Sequence, residues 1–284
     1  MNKTMNTVNQ TFNWKRFVAT LRKEVVENRR TILFSIIGMY ALLTIIMILG
    51  NWATDTPAEI AIILDQRIPQ LFVFMILTFV VIFMSSMAFK GLTTKPGRTS
   101  LLMSPSSSLE KYLVNALIYV VTMFVLFFAC AQLADLTRIA VLKPFEDKNF
   151  VVPGPINFLD TFTFTKSSVR TADATYWMSI AMFVGTIANA AIYFLGSVVW
   201  PRMSLLKTFV AIFAIQSVLM ILFMVIIHLC SDPQSLGKGV LQFMKEGSFF
   251  KVSCVISSVL TVVSFALSWY LFKRKDVVSL KWWK

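Results

Sequence analysis

Residues 97–115, GRTSLLMSPSSSLEKYLVN, form a short polar segment between two long apolar segments of the chain. Within it, Ser107 is followed three residues later by Glu110, which is the spacing of a capping box. In that motif the Ser side chain accepts a hydrogen bond from a first-turn amide, and the Glu side chain accepts one from the amide of the cap. The spacing therefore predicts that a helix begins here. Leu109, Tyr112 and Leu113 then fall on one face at helical spacing, which predicts that the helix continues into the next apolar segment.

The composition of the whole chain is that of a membrane protein. Of its 284 residues, 57% are hydrophobic and 14% are charged, and the mean hydropathy is +0.72. A soluble domain carries about 25% charged residues, so a large soluble core is excluded as the fold class. Several apolar segments of about 20 residues each have the length of one helical bilayer crossing. The first begins only at Thr31, after a long polar lead, and no small-residue cleavage site follows it, which predicts that no signal peptide is cleaved.

These segments predict an all-α membrane protein with six transmembrane helices, preceded by an amphipathic interfacial helix and with both termini in the cytoplasm. The chain then divides into a cytoplasmic lead (residues 1–30), a transmembrane domain (31–272) and a basic cytoplasmic tail (273–284). Two long outer loops are expected to carry structure of their own, because long structureless loops are uncommon. They are residues 135–175 and 231–248. The six spans are predicted at residues 31–50, 69–89, 112–134, 177–199, 207–230 and 249–272.

Residues 13–28, NWKRFVATLRKEVVEN, predict the amphipathic helix. Its apolar positions recur at helical spacing, whereas its basic residues lie mostly off that stripe. Such a helix either lies in the headgroup plane, with membrane lipid as its partner, or packs on another protein, and the sequence leaves both interpretations open. The stripe consists of Trp14, Phe17, Val18, Leu21 and Val25.

The distribution of charged residues predicts the orientation in the membrane. Segments on the side of the amino terminus contain 18 of the 27 Lys and Arg residues, whereas 10 of the 14 Asp and Glu residues fall on the opposite side. The positive-inside rule therefore predicts cytoplasmic termini. The net charge of +13 is then explained by topology and by contact with anionic lipid, and no nucleic-acid partner is expected.

The sequence lacks the motifs of several common catalysts. It contains no Walker A pattern, no HExxH, no G-x-S-x-G and no paired cysteine spacing, so we predict no catalytic residue, metal site or cofactor. The single histidine, His228, is interpreted as a hydrogen-bonded residue near the outer end of the fifth span. The near absence of Asp, Glu, Lys and Arg from the predicted spans argues against a proton- or sodium-coupled carrier. Cys130, Cys230 and Cys254 are interpreted as small packing residues, and a bridge between the last two is left open.

Two predicted spans carry small or hydroxyl side chains along one face. Small residues allow helices to approach closely and hydroxyls bond across the contact, so helix packing is favoured over a substrate path. A seam between two copies of the chain would satisfy both interpretations. The residues are Ser253, Ser257, Thr261, Ser264 and Ser268 in the sixth span, and Ala181, Gly185 and Asn189 in the fourth.

The order of these parts resembles the permease subunit of bacterial type-2 ABC exporters. The shared features are a basic amphipathic helix before the first span, six spans with both ends inside, and a capped segment, SPSSSLEKYL, before the third span. Within residues 104–112, the run P-x-S-x-x-E-K-Y is similar to the P-x-S-x-x-E-K-[FY] run of that family. As architecture, the resemblance covers nearly the whole chain.

The resemblance implies a multi-pass inner-membrane protein that is not itself an enzyme. It would work with a second permease copy and a separate cytoplasmic ATP-binding cassette ATPase to export a hydrophobic or amphipathic compound. The loop between the second and third spans would dock on the ATPase, and the amphipathic helix would be a connecting helix at that interface. The residues implied to contact the ATPase are Ser104, Pro105, Ser108, Glu110 and Lys111.

Two other classes of function remain open at this stage. One is a non-transporting membrane scaffold or sensor that holds a partner through its basic termini. The other is a membrane enzyme acting on lipid, which is less favoured because no cluster of acid, base or metal-ligating residues is found. The long outer loop 135–175 departs from better-known members of the family and leaves the substrate class undetermined.

Overall fold

The computed structural model describes residues 12–52, 58–94, 97, 106–145, 155, 172–229 and 248–275. Within these ranges the chain is helical and contains no β-strand. A π-helical turn (Leu117–Thr122) joins α4 to α5, and short 3-10 turns follow α3 (Lys90–Thr93) and α5 (Lys143–Phe145). The α-helices described are α1 (Trp14–Glu27), α2 (Arg29–Trp52), α3 (Ala58–Met87), α4 (Ser108–Ala116), α5 (Met123–Leu142), α6 (Ala172–Val199), α7 (Ser204–Leu229) and α8 (Ser248–Lys275).

The all-helical, multi-pass membrane class predicted from the sequence is confirmed. The predicted second span lies in α3, whose described apolar part, Val73–Met87, is shorter than the others. The count of six spans and the cytoplasmic position of both termini stay predictions. Among the described residues, five helical segments are long and apolar enough to cross a membrane: Arg29–Leu49, Ser108–Phe145, Tyr176–Val199, Ser204–Leu222 and Ser248–Arg274.

The outer loop predicted to begin at residue 135 begins later. Helix α5 continues to Leu142, because Asp135 and Arg138 lie one turn apart and form an ion pair of 2.8 Å that compensates both buried charges. The next helix also begins before its predicted start at residue 177. Only Pro155 is described between residues 146 and 171, so the predicted structure of this loop lies outside the described residues.

Helix α3 likewise extends beyond the predicted second span. We expected the span to begin at Pro69, but the helix runs through this residue from Ala58. A proline removes one backbone hydrogen bond from a helix, and here the helix continues on both sides of it. The lead before Phe12, the predicted outer helix in residues 231–247 and the tail after Lys275 lie outside the described residues.

Helix α6 forms the centre of the bundle and α7 its periphery. Helix α6 packs on α8, α3 and α7, while α2 packs on α5. In their most apolar windows, 41% of residues are buried in α6 but only 6% in α7, so most α7 side chains face outwards. In a bilayer these exposed apolar side chains contact lipid at no cost.

Helices α6 and α7 approach closely near the turn that joins them. Met203 in this turn has a left-handed backbone, with φ of 58°. A Cβ atom at Gly196 of α6 would collide with the side chain of Thr208 on α7. Glycine at this position therefore allows the two helices to cross at short distance.

Candidate functional site

The capped segment before the third span is joined to the amphipathic helix by one carboxylate. Oε1 of Glu110 accepts hydrogen bonds from the backbone N–H of Asn13 at 2.7 Å and from Nη2 of Arg16 at 3.3 Å. Oε2 accepts from the backbone N–H of Ser107 at 2.9 Å, and Ser107 Oγ in turn accepts from the N–H of Glu110 at 3.2 Å. The capping box predicted from the sequence is confirmed. We call this set of four residues the α1–α4 junction, and the end of the bundle that carries it the junction end.

The junction satisfies the unpaired groups of two helix starts at once. Asn13 and Ser107 are the N-caps of α1 and α4, where backbone N–H groups have no partner within their own helix. A carboxylate at a helix start is also favoured by the helix dipole. The Glu110 side chain is fully buried and its donors are partly buried, so its loss would cost up to about 1–3 kcal/mol for each neutral donor left without a partner.

An apolar contact reinforces the same junction. Phe17 of α1 packs with Val114 of α4 and Ile118 of the π-helical turn, and all three side chains are buried. Leu21 packs against this cluster from α1. The amphipathic helix is thus attached to the bundle by one edge of its apolar stripe.

The other edge of the stripe remains exposed. Trp14, Val18 and Val25 are 66%, 43% and 42% exposed, and the exposed basic residues Lys15 and Arg22 follow on the adjacent face. An apolar edge beside basic side chains is typical of a helix in the headgroup region. The geometry thus accommodates both interpretations of the sequence: the helix packs on protein along one edge and offers the other to lipid.

Two residues after Glu110, Tyr112 ties the same helix to the bundle core. Its ring contacts Phe194 of α6 and Trp269 of α8, with centroid distances of 5.5 and 5.3 Å. Phe89, in the turn that follows α3, stacks beside it at 6.4 Å. The hydroxyl donates to the backbone carbonyl of Phe265 in α8 at 3.0 Å, so the buried polar group is satisfied. Helix α4 therefore contacts α1 on one side and, through one aromatic ring, α6, α8 and the turn after α3.

A π-helical turn separates α4 from the rest of the third span. It covers Leu117–Thr122, and Thr122 Oγ1 donates to the carbonyl of Leu117 at 2.9 Å. Such turns occur frequently at functional sites, because they interrupt the regular backbone ladder and locally loosen the helix. The turn lies directly after the segment that carries Glu110 and Tyr112.

The residues implied to contact an ATPase fall into three groups. Ser104 and Pro105 lie outside the described residues. Ser108 is partly exposed at the first turn of α4. Glu110 and Lys111 are buried, with Glu110 directed towards α1. Their contact role stays a prediction, and for Glu110 it would act through α1.

The hydroxyl stripe lies on the more buried side of α8. Ser264 and Ser268 are buried, and Ser253, Ser257 and Thr261 are half-buried, whereas most neighbouring valines and leucines are exposed. Because α6 is the main neighbour of α8, this geometry matches helix packing within one chain. In α6, Ala181 is buried, whereas Gly185 and Asn189 are only half-buried and a Cβ at Gly185 would meet nothing within 4 Å. The seam and the substrate path stay predictions.

Sequence reasoning missed the partners of Glu110 and one buried ion pair. Asn13 was recognisable as a capping residue, but no local spacing indicates that its amide meets a residue 97 positions away. Asp135 and Arg138 were placed in a loop, although their one-turn spacing is a helix signal. In the described part of the chain, no three His, Cys, Asp or Glu residues are grouped to hold a metal ion. Cys130 and Cys254 carry free, buried thiols, while Cys230 and the His228 side chain are outside the description.

Comparison with known proteins adds no assignment. No protein-family model, curated protein or solved structure matches this chain. The functional argument therefore proceeds from the α1–α4 junction.

Proposed function

We propose that this chain is the transmembrane permease subunit of an ATP-driven exporter in the bacterial inner membrane. In this proposal it has six spans with both termini in the cytoplasm, and it moves a hydrophobic or amphipathic compound. The single observation that supports it most is the placement of α4. This helix is bonded to α1 through Glu110 and packed on α6, α8 and the turn after α3 through Tyr112. A helix with those contacts is suited to pass a displacement from a cytoplasmic partner into the bundle.

The proposed sequence of events starts at the loop before α4. An ATPase docked near residues 104–108 displaces the first turn of α4 when it hydrolyses ATP. Glu110 carries α1 with it, because the carboxylate bonds the first turn of both helices. Tyr112 shifts its aromatic neighbours, and the π-helical turn accommodates the change of direction before α5.

A second copy of the chain completes the proposed transporter. The outward faces of α7 and α8 are apolar in the described chain, which suits contact with either lipid or another copy. The open space beside Gly185 in α6 is compatible with a seam or a substrate path at that level of the bundle. The exposed edge of α1, with Trp14 and Val18, supports membrane lipid as a further partner.

Affinity purification in mild detergent tests the proposal directly. We expect a soluble ATPase to copurify in stoichiometric amount with the tagged chain. If the chain emerges alone or with an unrelated signalling protein, the exporter proposal fails and the scaffold or sensor is the better interpretation.

A pair of variants tests the coupling step. The double substitution Glu110→Ala and Lys111→Ala is expected to uncouple ATPase stimulation from transport in the reconstituted complex. Lys143→Ala serves as the control, because this exposed side chain lies at the far end of the same continuous helix and does not line the cavity at the junction end of the bundle. Unchanged coupling in the double variant would count against a role for α4 in transmission.

A further inference from the structure

A cavity of about 630 Å³ lies at the junction end of the bundle. Its walls come from the second half of α1, the start of α2, the end of α3 with the following 3-10 turn, and the helix of α4 with the π-helical turn. Cavities that hold small ligands have volumes of about 300–1,000 Å³. The space is therefore large enough for the head group and the first part of the chain of an amphiphile.

Charged residues of opposite sign line the cavity from different elements. Glu24 and Glu27 belong to α1, whereas Lys90 belongs to the 3-10 turn after α3 and Lys111 to α4. Lys23 also lines the cavity from α1 and pairs with Glu27 at 3.7 Å. A ligand with one positive and one negative group can satisfy both the acidic and the basic walls.

The carboxylate of Glu24 is incompletely compensated. Partial burial, and then the charge of nearby Glu27, raise the pKa of Glu24 above its usual value, and the opposing effects of Lys23 and of Asn28 are smaller. Nδ2 of Asn28 donates to Oε2 of Glu24 at 3.3 Å, which is a long bond. An ammonium group beside Glu24 would offset both unfavourable effects.

Uncharged polar residues and one group of apolar side chains form the rest of the lining. Phe83 and Met84 of α3 and Met123 at the start of α5 belong to the apolar group. Along the helix from Lys111 to Met123 the cavity extends over about 18 Å, calculated from the rise of 1.5 Å per residue. Lys111 lies at one end of this distance and Met123 at the other, so the helix offers a charged side chain and an apolar one to the two ends of an amphiphile.

We propose that the cavity binds a zwitterionic amphiphile of the phosphoethanolamine class. Its ammonium group lies beside Glu24 and Glu27, its phosphate faces Lys90 and Lys111, and its chain lies along Phe83, Met84 and Met123. The proposal does not rest on the transport function, since it needs only the described chain. A phospholipid of the bilayer and a water-soluble phosphoethanolamine amphiphile share this chemistry.

Native mass spectrometry of the delipidated full-length protein tests the proposal. The probes are phosphatidylethanolamine, the same lipid with its amine acetylated, and phosphatidylglycerol, all with identical acyl chains. We expect at least tenfold more retention of phosphatidylethanolamine than of the other two. Equal retention of all three lipids would overturn the proposal.

Four variants locate the site. Glu24→Gln should reduce the preference for the free amine several-fold, whereas Lys90→Gln should reduce retention of all three lipids. Met84→Trp fills the apolar end and should abolish binding. Met75→Trp, an exposed position on the same helix that does not line the cavity, is the matched control and should bind as the wild type does. A preference for the free amine that survives Glu24→Gln would also overturn the proposal.

Competition distinguishes the two sources of the ligand. Dihexanoyl phosphatidylethanolamine, which is water-soluble, is added to protein loaded with the long-chain lipid. Displacement of the long-chain lipid from the wild-type protein identifies a site that takes ligand from water. Met84→Trp, which should bind neither lipid, gives the background. Retention of the long-chain lipid under the same conditions identifies a site for bilayer lipid.

Discussion

The continuous helix from Ser108 to Phe145 carries a buried carboxylate near each end, and the two are used differently. Glu110 bonds groups 94 and 97 positions away in the sequence. Asp135 forms an ion pair with Arg138, one turn further along its own helix. Both carboxylates are almost completely buried, with 0% and 1% side-chain exposure. Burial alone therefore does not show how far along the sequence the partners of a carboxylate lie.

The difference lies in what each carboxylate satisfies. Glu110 accepts from backbone N–H groups, which only a proline substitution would remove, as well as from a side chain. The ion pair between Asp135 and Arg138 joins two side chains, and both of these can be replaced together. A second substitution should therefore restore stability lost at Asp135, whereas none of the side chains around Glu110 can do the same.

Removal of one member of the Asp135–Arg138 pair should have the largest effect on the free energy of unfolding. Asp135→Ala leaves the Arg138 guanidinium buried without this carboxylate, at a cost of about 3–5 kcal/mol in the free energy of unfolding. The double substitution Asp135→Leu and Arg138→Met removes both charges and should restore most of that loss. Thermal unfolding in detergent measures both, with the exposed Lys143→Ala as control. A double variant as unstable as the single one would contradict a purely local role.

Loss of the Glu110 carboxylate should reduce stability less, and the effect should be confined to α1. Glu110→Gln keeps the shape but replaces one acceptor oxygen with a donor, so we expect a loss of about 1–3 kcal/mol. The loss should appear as faster amide hydrogen exchange throughout α1, with α6 unchanged. Glu27→Gln, which affects a surface ion pair on α1 worth about 0–1 kcal/mol, is the control. Equal protection of α1 in both variants would show that Phe17 and its neighbours hold the junction without the carboxylate.

Two glycines of α6 also differ in whether they lie against another helix. Gly196→Ala places a methyl group against Thr208 of α7 and should cost about 1–2 kcal/mol. Gly185→Ala meets no neighbour within 4 Å, so the better helix propensity of alanine should increase stability by about 0.5–1 kcal/mol. The two midpoints of thermal unfolding should move in opposite directions from the wild type. A shift in the same direction would indicate that helix propensity outweighs the crossing of α6 and α7.

The smallest expected effect concerns pH. Burial raises the pKa of Glu24 above its usual value of 4.5, so folding favours the protonated form. This contribution to stability is complete below pH 4.5 and is lost as the pH rises through the raised value. The charged and titratable groups near it are Glu27 and Lys23 on α1, Lys90, Lys111 and Tyr119.

Amide exchange of α1 between pH 4 and pH 7, corrected for intrinsic rates, measures the effect of Glu24. We expect protection to decrease modestly with rising pH in the wild type and to change less in Glu24→Gln. Identical profiles would exclude Glu24 as the titrating group.

Local patterns in the sequence were sufficient for the elements and for part of the candidate site. The capping box at Ser107 and Glu110 and the helix over residues 14–27 follow from side-chain spacing within one or two turns, and both are present. The amphipathic stripe was also recognised, but its division into a packed edge and an exposed edge was not. That division depends on where α4 lies, which spacing within α1 does not determine.

The remaining features depend on long-range packing. The bonds from Asn13 and Arg16 to Glu110 join residues almost a hundred positions apart. The helical continuation through Asp135 was missed because charged residues were taken to end the span, although two opposite charges one turn apart compensate each other. The π-helical turn has no sequence signature in Leu117–Thr122, a run of apolar residues with one threonine.

That turn also changes the angular register of the third span. A π turn accommodates one residue more than an α turn, and each residue of an α-helix corresponds to about 100° of rotation. Glu110 and Tyr112 therefore point in directions, relative to Phe127 and Cys130, that an uninterrupted α-helix would not give them. The chain contains the equivalent of a one-residue insertion between the α1–α4 junction and the second half of the third span. The turn Leu117–Thr122 determines how the first half of the span is rotated relative to the second half. Removing one residue there would rotate the Glu110 carboxylate out of reach of α1.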